Sequence, residues 1–163
     1  MILPLSHAKG EYGRIQCCQI RCSATVVLSS FDGGVTSLQS HHLRQHIWAV
    51  GSYDSRLRIF DARNPARPII DRDGLDVGGG IWRVKWHPTD QSKLLIAAMH
   101  GGFRVVNVPL LDEGQLECVT SFDEHQSIAY GCDWDYSPKY AKDSPRLVCS
   151  ASFYDARMHI WKA

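Results

Sequence analysis

Three stretches of this chain repeat one pattern. They are Ile47–Asp54 followed by Leu57–Asp61, Leu95–His100 followed by Phe103–Asn107, and Leu147–Asp155 followed by Met158–Lys162. Aligned on Asp54, His100 and Asp155, they recur after 46 and then 55 residues. Each copy is an apolar run of strand length, a short polar turn and a second apolar run. The turn reads Tyr53-Asp54-Ser55 in the first copy and Tyr154-Asp155-Ala156 in the third. The second run closes on Phe60-Asp61, Val106-Asn107 and Trp161-Lys162, so the repeat is real but degenerate. A further strand leads into each copy. Ile81–Pro88 alternates apolar and basic residues, the period of a half-buried strand, and Ala129–Trp134 repeats it with Trp134 lying 48 residues after Trp86. Gly34–Ser40 is a weaker version for the first copy. Fourth strands are expected at Arg67–Asp71 and Gln115–Thr120, with none after Trp161 because the sequence stops at Ala163.

Strand, tight turn, then a strand ending in an aromatic-Asp pair is the core of a WD-type blade, whose period is about 40–45 residues. The expected fold is therefore all-β, a WD40-type β-propeller segment. The 163 residues hold about three blades at this spacing, near 34–73, 78–122 and 128–163. A blade cannot bury both faces without neighbours, so three in an open arc leave apolar flanks and unpaired edges. The chain reads as the C-terminal part of a longer, about seven-bladed propeller, or as a truncated derivative of one, with about four blades upstream. Residues 1–30 do not fit the repeat, although Ala24–Leu28 has the composition of one stray strand.

Net charge is +1 with scattered Lys and Arg, which gives no footprint for nucleic acid. No apolar run approaches the roughly 20 residues of a membrane span. Ile2–Leu5 is too short and lacks the basic lead of a secretory signal. A cytoplasmic protein is expected, and its six cysteines are expected to be reduced thiols. Cys132 and Cys149 read as small core residues. Cys18-x3-Cys22 ahead of His42-x3-His46 superficially resembles a zinc set. The gap from Cys22 to His42 exceeds the roughly 12 residues of a finger, and no strand-strand-helix pattern fills it. No metal and no cofactor are expected.

The run Gly78-Gly79-Gly80-Ile81-Trp82-Arg83-Val84-Lys85-Trp86-His87-Pro88 is far more specific than generic WD lettering. With Gly51–Asp54, Phe60–Pro65, Tyr130–Trp134 and Ala151–Asp155, it resembles the diphthine methyl ester hydrolase family, WD-repeat proteins of diphthamide biosynthesis. The resemblance runs in order from about Gly34 to Ala163 and leaves residues 1–30 unmatched. It implies hydrolysis of the methyl ester of methylated diphthine, a modified histidine of translation elongation factor 2. That factor is the implied protein substrate, and the propeller rim is available to other protein partners. Composition and spacing alone do not lead to an esterase: no Gly-x-Ser-x-Gly elbow and no His-Glu-x-x-His pair occurs.

In a blade, the loop before the lead-in strand and the turn after the second strand emerge at the same end. That places Gly79, Gly80, Trp82, Tyr130, Asp54, His100 and Asp155 near one rim. His100 stands where the other copies have Asp, and a neutral imidazole there can act as the base; the alternative is a residue that merely tolerates the turn. Asp54 and Asp155 read as turn braces, because Asp bonds nearby backbone amides. Trp86 and Trp134 read as packing between blades. Gly79 and Gly80 let a ligand approach closely. Given the quaternary ammonium of diphthine, Trp82 and Tyr130 can form part of an aromatic cage, with core packing the competing role. Against the hydrolase stand two other readings, a non-catalytic WD scaffold and an inactive truncated derivative.

Overall fold

A computed structural model describes residue 28 and residues 31–110, 114–138 and 144–163. Among the described residues, eleven strands make three antiparallel sheets. The first blade runs β1 (Val35–Ser40), β2 (Ile47–Ser52), β3 (Arg56–Asp61) and β4 (Ile70–Asp76), paired in that order. The second holds β5 (Arg83–Trp86), β6 (Lys93–Ala97), β7 (Phe103–Asn107) and β8 (Glu117–Phe122). The third holds β9 (Ala129–Trp134), β10 (Leu147–Ser152) and β11 (Met158–Lys162), so its described strands number three. The stray strand expected at 24–28 lies outside the described residues except for Leu28.

Two fourth strands lie downstream of the sequence expectation, for local reasons. Pro68 has no N–H to give a ladder, so the chain first bonds β3 through the Ile69 amide, which donates to the Ile59 carbonyl at 2.9 Å, and β4 runs from Ile70 rather than Arg67. In the second blade Leu116 is buried in the core, and the strand starts one residue later.

The core lies between blades, as alternation requires. One cluster joins Ala49, Leu57 and Ile59 of the first blade to Ile81, Val84, Trp86 and Leu94 of the second. Gly51 is needed there, because a Cβ at that position would run into the Ile81 side chain. The other cluster joins Leu95, Phe103 and Val105 to Cys132, Trp134 and Val148. Trp86 and Trp134 are buried at these two seams, and each indole N–H donates to a carbonyl of the preceding blade: Gln39 at 3.3 Å and Lys85 at 2.9 Å.

A second device repeats beside each indole. The His41 ring lies 4.2 Å from Trp86, centroid to centroid, and the His87 ring 4.7 Å from Trp134. The Nδ1 of His41 accepts the amides of Leu43 and Arg44, and that of His87 accepts those of Thr89 and Asp90. Each imidazole thus closes a turn with one nitrogen while its ring covers the next blade's tryptophan.

Cysteine placement corrects one expectation. Cys132 is buried, and burial pushes its thiol up to about 12. Cys149 is exposed rather than a core residue, because it sits on the face of β10 turned away from the second blade.

Candidate functional site

The loop 77–80 and the β6–β7 turn interlock, and this fixes the middle of the rim. A Cβ on Gly79 would collide with the Ala98 carbonyl and the Gly101 amide, and one on Gly101 would lie 2.8 Å from the Val77 carbonyl. The space that Gly79 leaves is therefore filled by the protein's own backbone, not held open for a ligand. Gly80 faces the Met99 sulfur and the Tyr53 ring. These glycines shape the loop that presents Trp82.

Five rings form a row along this edge, drawn from all three blades. Trp82 and Tyr130 stack at 4.8 Å with an interplanar angle of 26°. Tyr53 meets Trp82 at 6.5 Å and 86°, and Phe153 leans on Tyr130 at 5.1 Å. Tyr154 meets Phe153 edge-on at 5.0 Å. Tyr53, Phe153 and Tyr154 are exposed, and Trp82 and Tyr130 are half-buried. Rings stacked this closely leave no room for an ammonium between Trp82 and Tyr130. Tyr53 stands at right angles to Trp82, and its ring is exposed.

His100 is exposed in the β6–β7 turn. Met99, with φ of 41°, bridges to Ala129 through the Ala129 amide, 2.9 Å from the Met99 carbonyl. This brings the His100 turn beside the start of β9, next to Tyr130. A cleft of about 600 Å³ opens between the second and third blades, lined by His100, His125, Ser127, Tyr154 and Asp155.

The two Asp residues do different work. Asp54 accepts the Arg56 amide at 3.0 Å and pairs with the Arg58 guanidinium at 2.9 Å. Burial opposes its charge, but the Arg56 amide and Arg58 overcome that and hold the carboxyl below its usual range. Asp155 accepts the hydroxyl of Ser152, the main reason its carboxyl is also held low.

Behind Asp155 runs a directional chain that sequence reasoning missed. Ser152 gives its proton to Asp155, so its oxygen accepts from Nδ1 of His125 at 2.6 Å. The Nε2 of His125 then accepts from Ser150 at 2.9 Å, and Ser150 accepts the Trp161 indole N–H at 3.1 Å. The chain requires the neutral Nδ1-protonated imidazole. Burial, seconded by nearby His159, lowers the His125 pKa accordingly. Ser152 is buried and its hydroxyl is committed to Asp155, so this is a brace joining the strands of the third blade and not a nucleophile with its base. Alternate serines at 150 and 152, facing a tryptophan on the paired strand, were the available signal.

Among the described residues no group of three or more His, Cys, Asp or Glu is placed to hold a metal ion. Cys18 and Cys22 lie outside them. No helix of the described residues is long and apolar enough to cross a membrane.

Residues 21–61 match the family described as WD domain, G-beta repeat. A diphthine methyltransferase homolog of Dictyostelium discoideum is 43% identical over 134 residues, which are 80% of this chain and 35% of that protein. The chain is a WD-repeat relative of the diphthine methyltransferases. The diphthine methyltransferase of Mus musculus is 40% identical over 114 residues, 69% of this chain and 23% of its own length. That of Homo sapiens is 42% identical over 105 residues, 63% and 23% respectively. The chain thus spans about a third or less of these relatives.

Two solved structures share the fold. A chain in the crystal structure of the mitotic checkpoint complex superposes with a TM-score of 0.62 at 13% identity, over 79% of this chain and 36% of that one. The crystal structure of the computationally designed Ika8 protein gives 0.53 at 18% identity, over 78% and 33%. The three sheets are blades of a WD-type propeller.

Proposed function

We propose that this chain carries the substrate-facing rim of an enzyme that hydrolyses the methyl ester of methylated diphthine on translation elongation factor 2. The observation that carries the reading is the row of aromatic rings, whose last member Tyr154 lines a cleft of about 600 Å³ together with His100. A quaternary ammonium favours aromatic faces, and the right-angled corner of Tyr53 and Trp82 offers two walls to one cation. Tyr130 backs Trp82 and fixes its plane. The Met99 sulfur and the Tyr53 ring both border Gly80, so an ester carried by a cation held there is set toward the adjoining His100 turn. His100 takes a proton from water as the oxygen attacks the ester carbonyl. The tetrahedral intermediate collapses to the carboxylate, and the departing methoxide recovers a proton to leave as methanol. Gly79 and Gly80 position the loop without touching the ligand.

A scaffold role is the second reading, favoured by the exposed rings of Tyr53, Phe153 and Tyr154, which suit a protein partner. The deciding experiment grafts this chain into the Dictyostelium relative in place of the stretch it matches. Elongation factor 2 bearing methylated diphthine is then supplied. Methanol should be released from that substrate and not from unmodified factor. Binding of the factor without methanol would support the scaffold, and transfer of a methyl group onto the factor would contradict hydrolysis.

A further inference from the structure

The first blade holds a second cleft at the end away from the aromatic row. Ile47 opens β2 and Asp61 closes β3, while Tyr53 lies in the turn that joins them, so the two sites occupy opposite ends of these strands. The cleft has a volume of about 570 Å³, within the range of ligand pockets, and four guanidinium groups line it: Arg44, Arg63, Arg67 and Arg72. Two carboxylates, Asp61 and Asp71, are the other charged groups in its wall. The whole chain carries 18 Lys and Arg against 17 Asp and Glu, so this excess of positive charge is local.

The charges differ in how far the protein has already used them. Asp61 accepts the Nη2 of Arg63 at 2.6 Å and its Nε at 3.0 Å, and Arg63 holds the carboxyl down to about 2, so these two neutralise each other. Arg44 gives Nη1 and Nη2 to the carbonyls of Pro109 and Leu110, at 3.3 and 3.2 Å. Those bonds fix its side chain against the second blade and leave its charge uncompensated. Arg67 and Arg72 are exposed, and among the described residues neither makes a hydrogen bond or an ion pair. The loop between β3 and β4 is ordered in advance of any ligand. The Arg63 amide donates to Asp61 Oδ1 at 2.8 Å and the Asn64 amide to the Asp61 carbonyl at 3.0 Å, while Pro65 and Pro68 each fix a φ angle. A loop held this way loses little further freedom on binding.

Arg44, Arg67 and Arg72 therefore stand against the single carboxylate of Asp71, which leaves an excess of two positive charges in one cleft. A phosphomonoester carries about −1.5 to −2 charge at neutral pH and three strong acceptor oxygens. That balances the excess, whereas a lone carboxylate or a phosphodiester, with one charge each, balances half of it. The guanidinium fork also suits phosphate oxygens in shape. We propose that this cleft of the first blade binds a phosphomonoester group, at a site separate from the aromatic row.

NMR titration of the full chain at constant ionic strength tests this, with inorganic phosphate, a phosphoserine peptide, dimethyl phosphate and acetate as probes. Inorganic phosphate should produce saturable shifts in the Nε–H signals of Arg67 and Arg72 and in the amides of 63–72, with the signals around Trp82 unmoved. The singly charged probes, dimethyl phosphate and acetate, should bind at least tenfold more weakly. Arg67→Gln combined with Arg72→Gln should weaken phosphate binding at least tenfold and leave the rest of the spectrum as in the wild type. A phosphoserine peptide that binds more tightly than inorganic phosphate supports the site and assigns the group to a modified protein side chain. A peptide that binds no more tightly supports it as a site for free phosphate. Absence of saturation, acetate or dimethyl phosphate binding as tightly as inorganic phosphate, or unchanged affinity in the double variant would overturn the proposal.

Discussion

At the scale of single residues, histidines fall into two groups with opposite consequences. His100 is exposed on the rim, whereas His125 is locked between Ser150 and Ser152. In the grafted enzyme, His100→Ala should lower turnover by about 100-fold or more, since a positioned base is worth roughly 100- to 10,000-fold. Its melting temperature should hardly change, and a fall in turnover below about threefold would remove His100 from the mechanism. His125→Ala should do the reverse. It strands the Ser150 donor and frees the Ser152–Asp155 end of the chain, which costs about 1–3 kcal/mol. Chemical denaturation reads this directly, and an unchanged midpoint would contradict the brace. Little in the local sequence separates these two residues. His100 stood out because it replaces Asp in a repeat, but Asp123-Glu124-His125 is an unremarkable polar stretch. Its role comes from alternate serines on a strand 25 and 27 residues later, which only folding brings to the ring.

At the scale of strands and seams, the blade interfaces rest on neutral imidazoles. Burial, followed by the charge of Arg146, pulls the His87 pKa from 6.5 to about 4. His41 is lowered as well, by burial first, although its bond to the Gln91 carbonyl works the other way. Folding favours the neutral form of both rings, because the Nδ1 of each accepts backbone amides. Their contribution is therefore complete above about pH 6.5 and is lost as pH falls through the folded-state values, near 4 for His87. His125 adds to the same trend. The melting temperature should decline steadily between pH 6.5 and pH 4, and a flat profile over that window would contradict the seam device. His87→Gln should make the decline shallower.

Strand positions were largely readable at this scale because period-two alternation and the 46-residue recurrence are backbone properties that each segment carries. The recurrence also held an unused signal. His41 stands two residues after Gln39 and His87 two after Lys85, and the two histidines are 46 residues apart. Alternation does not give which face of β10 finds a neighbour, and so it does not separate exposed Cys149 from a core position. The fourth strands slipped for a similar reason, since Pro68 and Leu116 answer to the adjacent strand and the core rather than to the pattern.

At the scale of the whole molecule, the described residues place the second blade between two seams and the first and third blades at one seam each. Each seam within the chain is a small core of its own, so stability is set by nearest neighbours and terminal blades should loosen first. Hydrogen exchange should be slowest in β6 and β7, which have a blade on either side, and fastest in β11. Protection in β11 equal to that in β6 would contradict the open third blade.

The rim is the part of the molecule on which the functional reading stands, and it can be examined in this chain alone. Five indole N–H signals report on five places: Trp48, Trp82, Trp86, Trp134 and Trp161. A short peptide bearing the methylated diphthine side chain should be titrated while amide and indole resonances are followed by NMR. The Trp82 indole should shift along with backbone signals around Tyr53 and His100. Trp86 and Trp134, buried in the seams with their N–H groups bonded across blades, should not move. Loss of the shifts in Trp82→Ala, with the rest of the spectrum intact, would complete the result. Shifts confined to Trp48 or Trp161, or no saturable shift at Trp82, would contradict a substrate site on the aromatic row.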